Sequence, residues 1–226
     1  ILIRDFGELE KLQVSAKGPS DFVTNSDKKV EKIIIEELIK SRKKFSILSE
    51  EIGEIKNSDK ENYWIIDPID GTTNFLHGIP HFAISIALKT KGEIVIGLIF
   101  DPIKNEMFYA EKNNGAYFNN QRIRVSKKKN LNQCLFATGG KDKISYNLNT
   151  RKSGSAALDM AYVGAGRYDG YFQKSLNIWD IAAGIIIVKE AGGKINDIDY
   201  SGDKEIKIIT GSNAIYDKME ENLCNF

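Results

Sequence analysis

A chain of 226 residues, 42% of them hydrophobic, can bury a sizeable core as one large globular domain or two intimate lobes. Its 32 basic and 31 acidic side chains leave a net charge of +1, so charge makes no general case for binding nucleic acid or a membrane surface. Cys134 and Cys224 lie far apart without metal-type spacing, which argues against a disulfide framework and for a cytoplasmic protein. The longest apolar run, Ile181 to Val188, is too short to span a bilayer. The chain opens on Ile1 rather than Met, so N-terminal residues, with any targeting segment, are expected to be missing.

In chain order, residues 26–43 have the periodicity of an amphipathic helix, with Val30, Ile33, Ile34, Leu38 and Ile39 at helical spacing. Ser26 or Asp27 is the expected N-cap. A short buried strand, Phe45 to Leu48, then delivers Ser49-Glu50-Glu51, and residues 53–62 read as an exposed polar loop. From Phe82 to Val125 the pattern is an antiparallel meander: Phe82–Thr90, Glu93–Asp101, Glu106–Glu111, Ala116–Phe118 and Arg122–Val125, separated by turn signals. Lys127-Lys128-Lys129 reads as a solvated loop. Beyond it, a helix over Ser155–Gly166, a strand over Tyr168–Phe172 and a helix over Trp179–Ala191 precede strands at Lys194–Ile198 and Ile206–Thr210 and a helix from about Asn213. The fold class is mixed α and β, with helices layered on sheets.

The run Trp64-Ile65-Ile66-Asp67-Pro68-Ile69-Asp70-Gly71-Thr72-Thr73-Asn74-Phe75 places two carboxylates three residues apart at the end of an apolar, strand-like segment, directly before a turn. Carboxylates at a strand end, followed by open backbone N–H groups, suit a hard cation and the phosphate it binds. Glu50 and Asp180 are the other candidates for the same site. Four carboxylates brought together would repel strongly: two unit charges ~4 Å apart at an effective dielectric of ~20 cost ~4 kcal/mol. Oxygen-only ligands favour Mg²⁺, Mn²⁺ or Ca²⁺ over zinc, and a pair of ions ~3.5–4 Å apart can clamp an in-line displacement at phosphorus. Asp-Pro-x-Asp-Gly is also ordinary turn composition; the longer run is the specific signal. His77 and His81 have no third nitrogen or sulfur ligand to make a zinc site. Gly164-Ala165-Gly166 has the wrong spacing for a dinucleotide fingerprint and reads as a helix C-cap. No Gly-x-Ser-x-Gly elbow is present.

Three motifs in order, Ser49-Glu50-Glu51, Trp64 through Phe75, and Trp179-Asp180-Ile181-Ala182-Ala183-Gly184 continuing to Gly193, resemble the inositol monophosphatase family, part of the lithium-sensitive, Mg²⁺-dependent phosphatases. Asp21-Phe22-Val23-Thr24 with Asp27, Gly154-Ser155-Ala156-Ala157 and Gly166-Arg167-Tyr168-Asp169-Gly170 also fit, and the bacterial extragenic-suppressor branch is the most similar. The resemblance implies an α+β fold, a layered α-β-α-β-α sandwich, with an N-terminal lobe over 1–149 and a C-terminal lobe over 150–226 that completes the site. It implies two or three Mg²⁺ ions. Glu50, Asp67 and the Ile69 carbonyl would hold one; Asp67, Asp70 and Asp180 a second; a third would sit near Glu50. Thr72, paired with Asp27, would polarise the attacking water, and the Gly71 and Thr72 N–H groups would receive the phosphate.

Asp70, Ser155, Ala156, Gln173 and Asp180 would face the hydroxyls of inositol 1-phosphate or a similar small sugar phosphate. Gln173 stands where the family usually carries an acid, which weakens hydroxyl recognition relative to a carboxylate. Lys17 corresponds, with an offset of one, to a family lysine near the site. The Gly139–Ser153 connection is shorter than the family's, and residues there are expected to be missing. A homodimer and lithium inhibition are implied too. Fructose 1,6-bisphosphate, histidinol phosphate and 3′-phosphoadenosine 5′-phosphate are alternative substrates. Association with the transcription machinery, seen in some bacterial relatives, is an alternative role.

Overall fold

The structure is a computed structural model that describes residues 1–8, 14–18, 21–139, 148–198 and 206–223. The chain begins with α1 (Leu2–Phe6), a hairpin of β1 (Val14–Gly18) and β2 (Asp21–Thr24), and α2 (Asn25–Ser41). There follow β3 (Phe45–Ser49), β4 (Gly53–Ile55), β5 (Asp59–Asp70) and the short α3 (Thr72–Leu76). The meander is β6 (Ala83–Thr90), β7 (Glu93–Asp101), β8 (Glu106–Glu111), β9 (Gly115–Phe118) and β10 (Gln121–Arg122). The C-terminal part comprises β11 (Phe136–Thr138), β12 (Thr150–Arg151), α4 (Ala156–Gly164), β13 (Gly170–Leu176), α5 (Ile178–Glu190), β14 (Gly193–Ile195), β15 (Ile206–Ser212) and α6 (Tyr216–Asn222).

An eight-stranded sheet runs in the order β10-β9-β8-β7-β6-β5-β3-β4, and a five-stranded sheet in the order β12-β11-β13-β15-β14. Helices α4 and α5 fill the space between them. Their Ala157, Leu158, Ala183 and Ile187 join Ile65, Ile99 and Phe108 of the first sheet in one core cluster. Their Met160, Val163, Ile181 and Ile185 join Tyr171 and Ile208 of the second in another. Helix α2 covers the outer face of the first sheet through Ile35, Ile47 and Ile66, and α6 covers the second through Phe136, Phe172 and Met219. The layers therefore stack α-β-α-β-α, as the resemblance implies. Helix α5 is buried without a break from Ile181 to Val188 because it has a sheet on each side. Small residues let it sit close: a Cβ on Gly97 of β7 would lie 2.5 Å from the Ala183 carbonyl oxygen.

Several elements differ from expectation. Ser26 and Asp27 are not caps; α2 starts at Asn25, so both lie buried in its first turn, where the Ser26 hydroxyl donates to Asp5 Oδ2 at 2.8 Å. The polar stretch 53–62 is not a loop: β4 pairs antiparallel with β3, and β5 already begins at Asp59. Backbone pairing, not side-chain alternation, makes these strands. The Lys127–Lys129 run is an exposed loop, as expected, and from it Lys128 Nζ donates to the buried Asp169 carboxylate at 2.9 Å. Strand β13 extends past Phe172 to Leu176. The Lys17 side chain, Cys224 and most of the Gly139–Ser153 connection lie outside the described residues. Among the described residues, no helix is long and apolar enough to cross a membrane.

Candidate active site

Strands β3 and β5 are parallel neighbours, with Ser49 opposite Ile66. Parallel strands end at the same sheet edge, and that edge is where open α/β sheets present ligands. Glu50 therefore follows β3 beside the point where β5 delivers Asp67 and Asp70.

Residues three apart in a regular strand point to opposite faces. Asp67 and Asp70 escape this because the β5–β6 register slips between them: Asp67 faces Ser85 while Asp70 faces Ala83. The inserted residue is a bulge, and Pro68, lacking an N–H for the ladder, sits within it. Asp67 Oδ1 accepts the Ile69 N–H at 3.0 Å across the bulge. Gly71 then turns the chain with φ +95°, and a Cβ there would lie 3.1 Å from the His81 carbonyl oxygen and 3.2 Å from that of Gly154. Only glycine combines that dihedral with that crowding. Helix α3 follows at once, and the Thr72 hydroxyl donates to the Ile69 carbonyl at 2.9 Å.

Asp180 arrives from the other half of the chain, in the first turn of α5. Its Oδ2 accepts the Asn177 N–H at 2.8 Å, which fixes the carboxylate at the helix entrance. A second register slip, between Gln173 and Leu176 where Ser175 has φ 57°, precedes that entrance. The result is that one oxygen each from Asp67, Asp70 and Asp180 lie within 4.8 Å of one another, a group that could hold a metal ion.

Asp70 is tied to the C-terminal half directly. It accepts the Ser155 hydroxyl, the Ala157 N–H at 2.9 Å and the Ala156 N–H at 3.3 Å. Thus Ser155 and Ala156, expected to face a substrate, both donate to Asp70. Ser155 also caps α4 by accepting the Leu158 N–H at 3.3 Å. Gln173 lines a cleft of about 210 Å³ together with Gly139, Asp70, Ser155, Asp159 and Asp180, and its Oε1 accepts the Tyr171 hydroxyl at 2.8 Å.

The electrostatics are those of crowded acids. Burial, then the Glu50, Asp70 and Asp180 charges, hold Asp67 well above the usual carboxylate range. Burial and the Asp180 and Asp27 charges push Glu50 up to about 8. Burial and then Asp70 raise Asp180 to about 7, against the Asn177 N–H. Asp70 rises less, to about 6, because burial is opposed by the hydrogen bonds from Ser155, Ala157 and Ala156. A cation bound among these carboxyls would favour the ionised form of each.

Two site residues were missed in the sequence. Asn74 Nδ2 donates to the His81 carbonyl at 2.7 Å and to the Ser153 carbonyl at 2.9 Å, and so ties the α3 turn to the loop before α4. Glu31 is fully buried under the Glu50 turn. Its only sequence signal is its place one helical turn after Asp27, on the same face of α2.

The chain matches a family model described as the inositol monophosphatase family over residues 1–223. It is 47% identical over 216 residues to an inositol-1-monophosphatase of Rhizobium meliloti, covering 89% of this chain and 81% of that one. It is 41% identical over 212 residues to the Nus factor SuhB of Escherichia coli K12, covering 87% of this chain and 79% of that one. The crystal structure of the extragenic suppressor protein suhB from Bartonella henselae superimposes with a TM-score of 0.91 at 47% identity, covering 98% of this chain and 92% of that one.

Proposed function

The chain belongs to the inositol monophosphatase family and is a phosphoric monoester hydrolase; we propose that it hydrolyses inositol 1-phosphate or a related small sugar or polyol phosphate with Mg²⁺. One observation carries this reading: the bulged end of β5 and the entrance of α5 converge three aspartate oxygens within 4.8 Å.

The donor set fits the ion. Oxygen ligands alone suit Mg²⁺, and acids pushed to about 6, 7 and 8 by burial and one another have a charge deficit that a divalent cation would fill. Asp67, Asp70, Asp180, Glu50 and the Ile69 carbonyl are the proposed ligands of two or three ions. When bound, such ions would supply positive charge to the phosphoryl oxygens and activate water. Around them, Thr72 and Asp27 would orient the attacking water for in-line displacement. The Gly71 and Thr72 N–H groups would receive the phosphate. Gln173, with Ser155, Ala156, Asp70 and Asp180, would meet the hydroxyls of the leaving group. Gln173 contributes an amide carbonyl and not a carboxylate, so recognition there rests on neutral hydrogen bonds. The proposal includes a cytoplasmic homodimer with the site between the 1–149 and 150–226 lobes, and lithium sensitivity through one Mg²⁺ position.

The test is phosphate release from inositol 1-phosphate, fructose 1,6-bisphosphate and a broad monoester panel, with Mg²⁺ and with chelator. Chelator-sensitive turnover supports the reading, and the ranking names the substrate. No turnover on any monoester overturns it. A second reading, a transcription-machinery binding role, rests on the 41% identity to the Nus factor SuhB. Immobilised, catalytically dead protein that fails to retain RNA polymerase subunits from lysate would remove it.

A further inference from the structure

Glu50 sits in a three-residue turn between β3 and β4, where little of the main chain is paired by regular sheet structure. Its own N–H donates to the Ile66 carbonyl at 3.2 Å, which anchors one side of the turn to β5. The other side is anchored by a single carboxyl oxygen. Glu31 Oε1, on the second turn of α2, accepts the Ser49 hydroxyl, the Glu51 N–H at 3.1 Å and the Ile52 N–H at 3.2 Å. The three donors bracket Glu50, one before it and two after it. Glu31 is 0% exposed, and its Oε2 has no partner among the described residues.

A fully buried carboxyl is unfavourable unless it is hydrogen-bonded, and the hydrogen bonds of this one go to the residues on either side of Glu50. One acceptor oxygen that fixes the chain immediately before and after Glu50 holds the Glu50 carboxylate in one orientation. Partners that orient a metal ligand from behind typically change metal affinity 10–100-fold when removed. We propose that Glu31 is a positioning residue: it holds the turn so that the Glu50 carboxylate faces Asp67 and Asp180, and thereby sets the affinity for Mg²⁺. The proposal rests on the metal-phosphatase reading above.

The experiment titrates Mg²⁺ calorimetrically into substrate-free protein and, separately, measures Mg²⁺ activation of phosphate release. Glu31→Ala weakens Mg²⁺ binding ~10–100-fold and raises the Mg²⁺ needed for half-maximal activity, while KM at saturating Mg²⁺ stays near wild type. Glu31→Asp, with its acceptor drawn back by one methylene, weakens binding in the same direction. Glu31→Gln keeps both chain length and an acceptor oxygen and restores binding. A folded Glu31→Ala protein with wild-type Mg²⁺ affinity overturns the proposal and leaves the phosphatase reading standing. If Ala does not fold, wild-type affinity in Glu31→Asp overturns it equally. Failure of both to fold assigns Glu31 to the fold alone and also overturns it, as does a Glu31→Gln protein as weak as the Ala variant. Wild-type protein that binds no Mg²⁺ overturns the reading and the proposal together.

Discussion

Replacing Asp67 by Asn removes one charge from the acid cluster while keeping its shape. Asn Oδ1 can still accept the Ile69 N–H that Asp67 Oδ1 accepts at 3.0 Å, so the bulge stays closed. The cluster oxygens lie within 4.8 Å, and two unit charges at that distance and an effective dielectric of ~20 repel by ~3.5 kcal/mol. Asp67 has two such neighbours, and Asp70 and Asp180, raised to about 6 and 7, are ionised by pH 8. Burial and its neighbours hold Asp67 well above the usual carboxylate range, so its charge is disfavoured in the cluster. The relief is therefore a fraction of the full repulsion, ~3 kcal/mol. For a chain of this size ~1 kcal/mol moves the midpoint by ~2–4 °C, so metal-free Asp67→Asn should melt ~6–12 °C above metal-free wild type at pH 8. Thermal unfolding in chelator and in excess Mg²⁺ reads this directly. Wild type should gain stability with Mg²⁺, whereas the variant should be nearly indifferent to it and release no phosphate. A variant that melts below wild type in chelator, or that keeps the Mg²⁺ gain, refutes the argument that repulsion organises this site.

The same acids set a pH dependence. Folded-state values of about 6, 7 and 8 for Asp70, Asp180 and Glu50 all lie above their unfolded values. Their favourable contribution is thus complete below about pH 4 and is lost as pH rises through 6 to 8. Metal-free protein should melt progressively lower from pH 5.5 to 8.5, and a midpoint that climbs over that window would contradict the assignment. Thr72→Ala should lower kcat by ~10²–10⁴ with Mg²⁺ binding intact; kcat within a few-fold of wild type would remove Thr72 from water activation. Ser155→Ala takes away both the α4 cap and a donor to Asp70, which should cost ~1 kcal/mol and lower the midpoint by ~2–4 °C in a melting curve. Millimolar lithium should inhibit, and activity indifferent to it would argue against a small-cation position beside Asp70 and Asp180.

Helix α2 was legible from its apolar spacing, and the meander β6 to β9 from the turn signals that separate its apolar runs, whose strands bury one face and largely half-bury the other. Strand β4 and the start of β5 were not, because Gly53–Ile55 and Asp59–Asn62 are polar strand segments defined by their neighbours' hydrogen bonds. The Lys128–Asp169 pair was not legible because Asp169 is remote in sequence and buried. Glu31 looked like one more polar residue on an amphipathic helix, since helical spacing records which face a residue occupies and not what waits opposite that face.

The sequence by itself determined the inventory of the site: the apolar run that ends in Asp67-Pro68-Ile69-Asp70, the glycine that must follow, Glu50 after its strand and Asp180 at its helix entrance. Local chemistry suffices for these, because strand, turn and helix starts are short-range. What only the tertiary structure decided is that these acids meet. A bulge around Pro68 and Ile69 re-aims two aspartates that a regular strand would send apart. The α4 N-terminus reaches Asp70 from 85 residues away through the Ser155 hydroxyl. Such contacts bring like charges together against their repulsion, and only the burial of α4 and α5 between two sheets supplies the packing energy that holds them there.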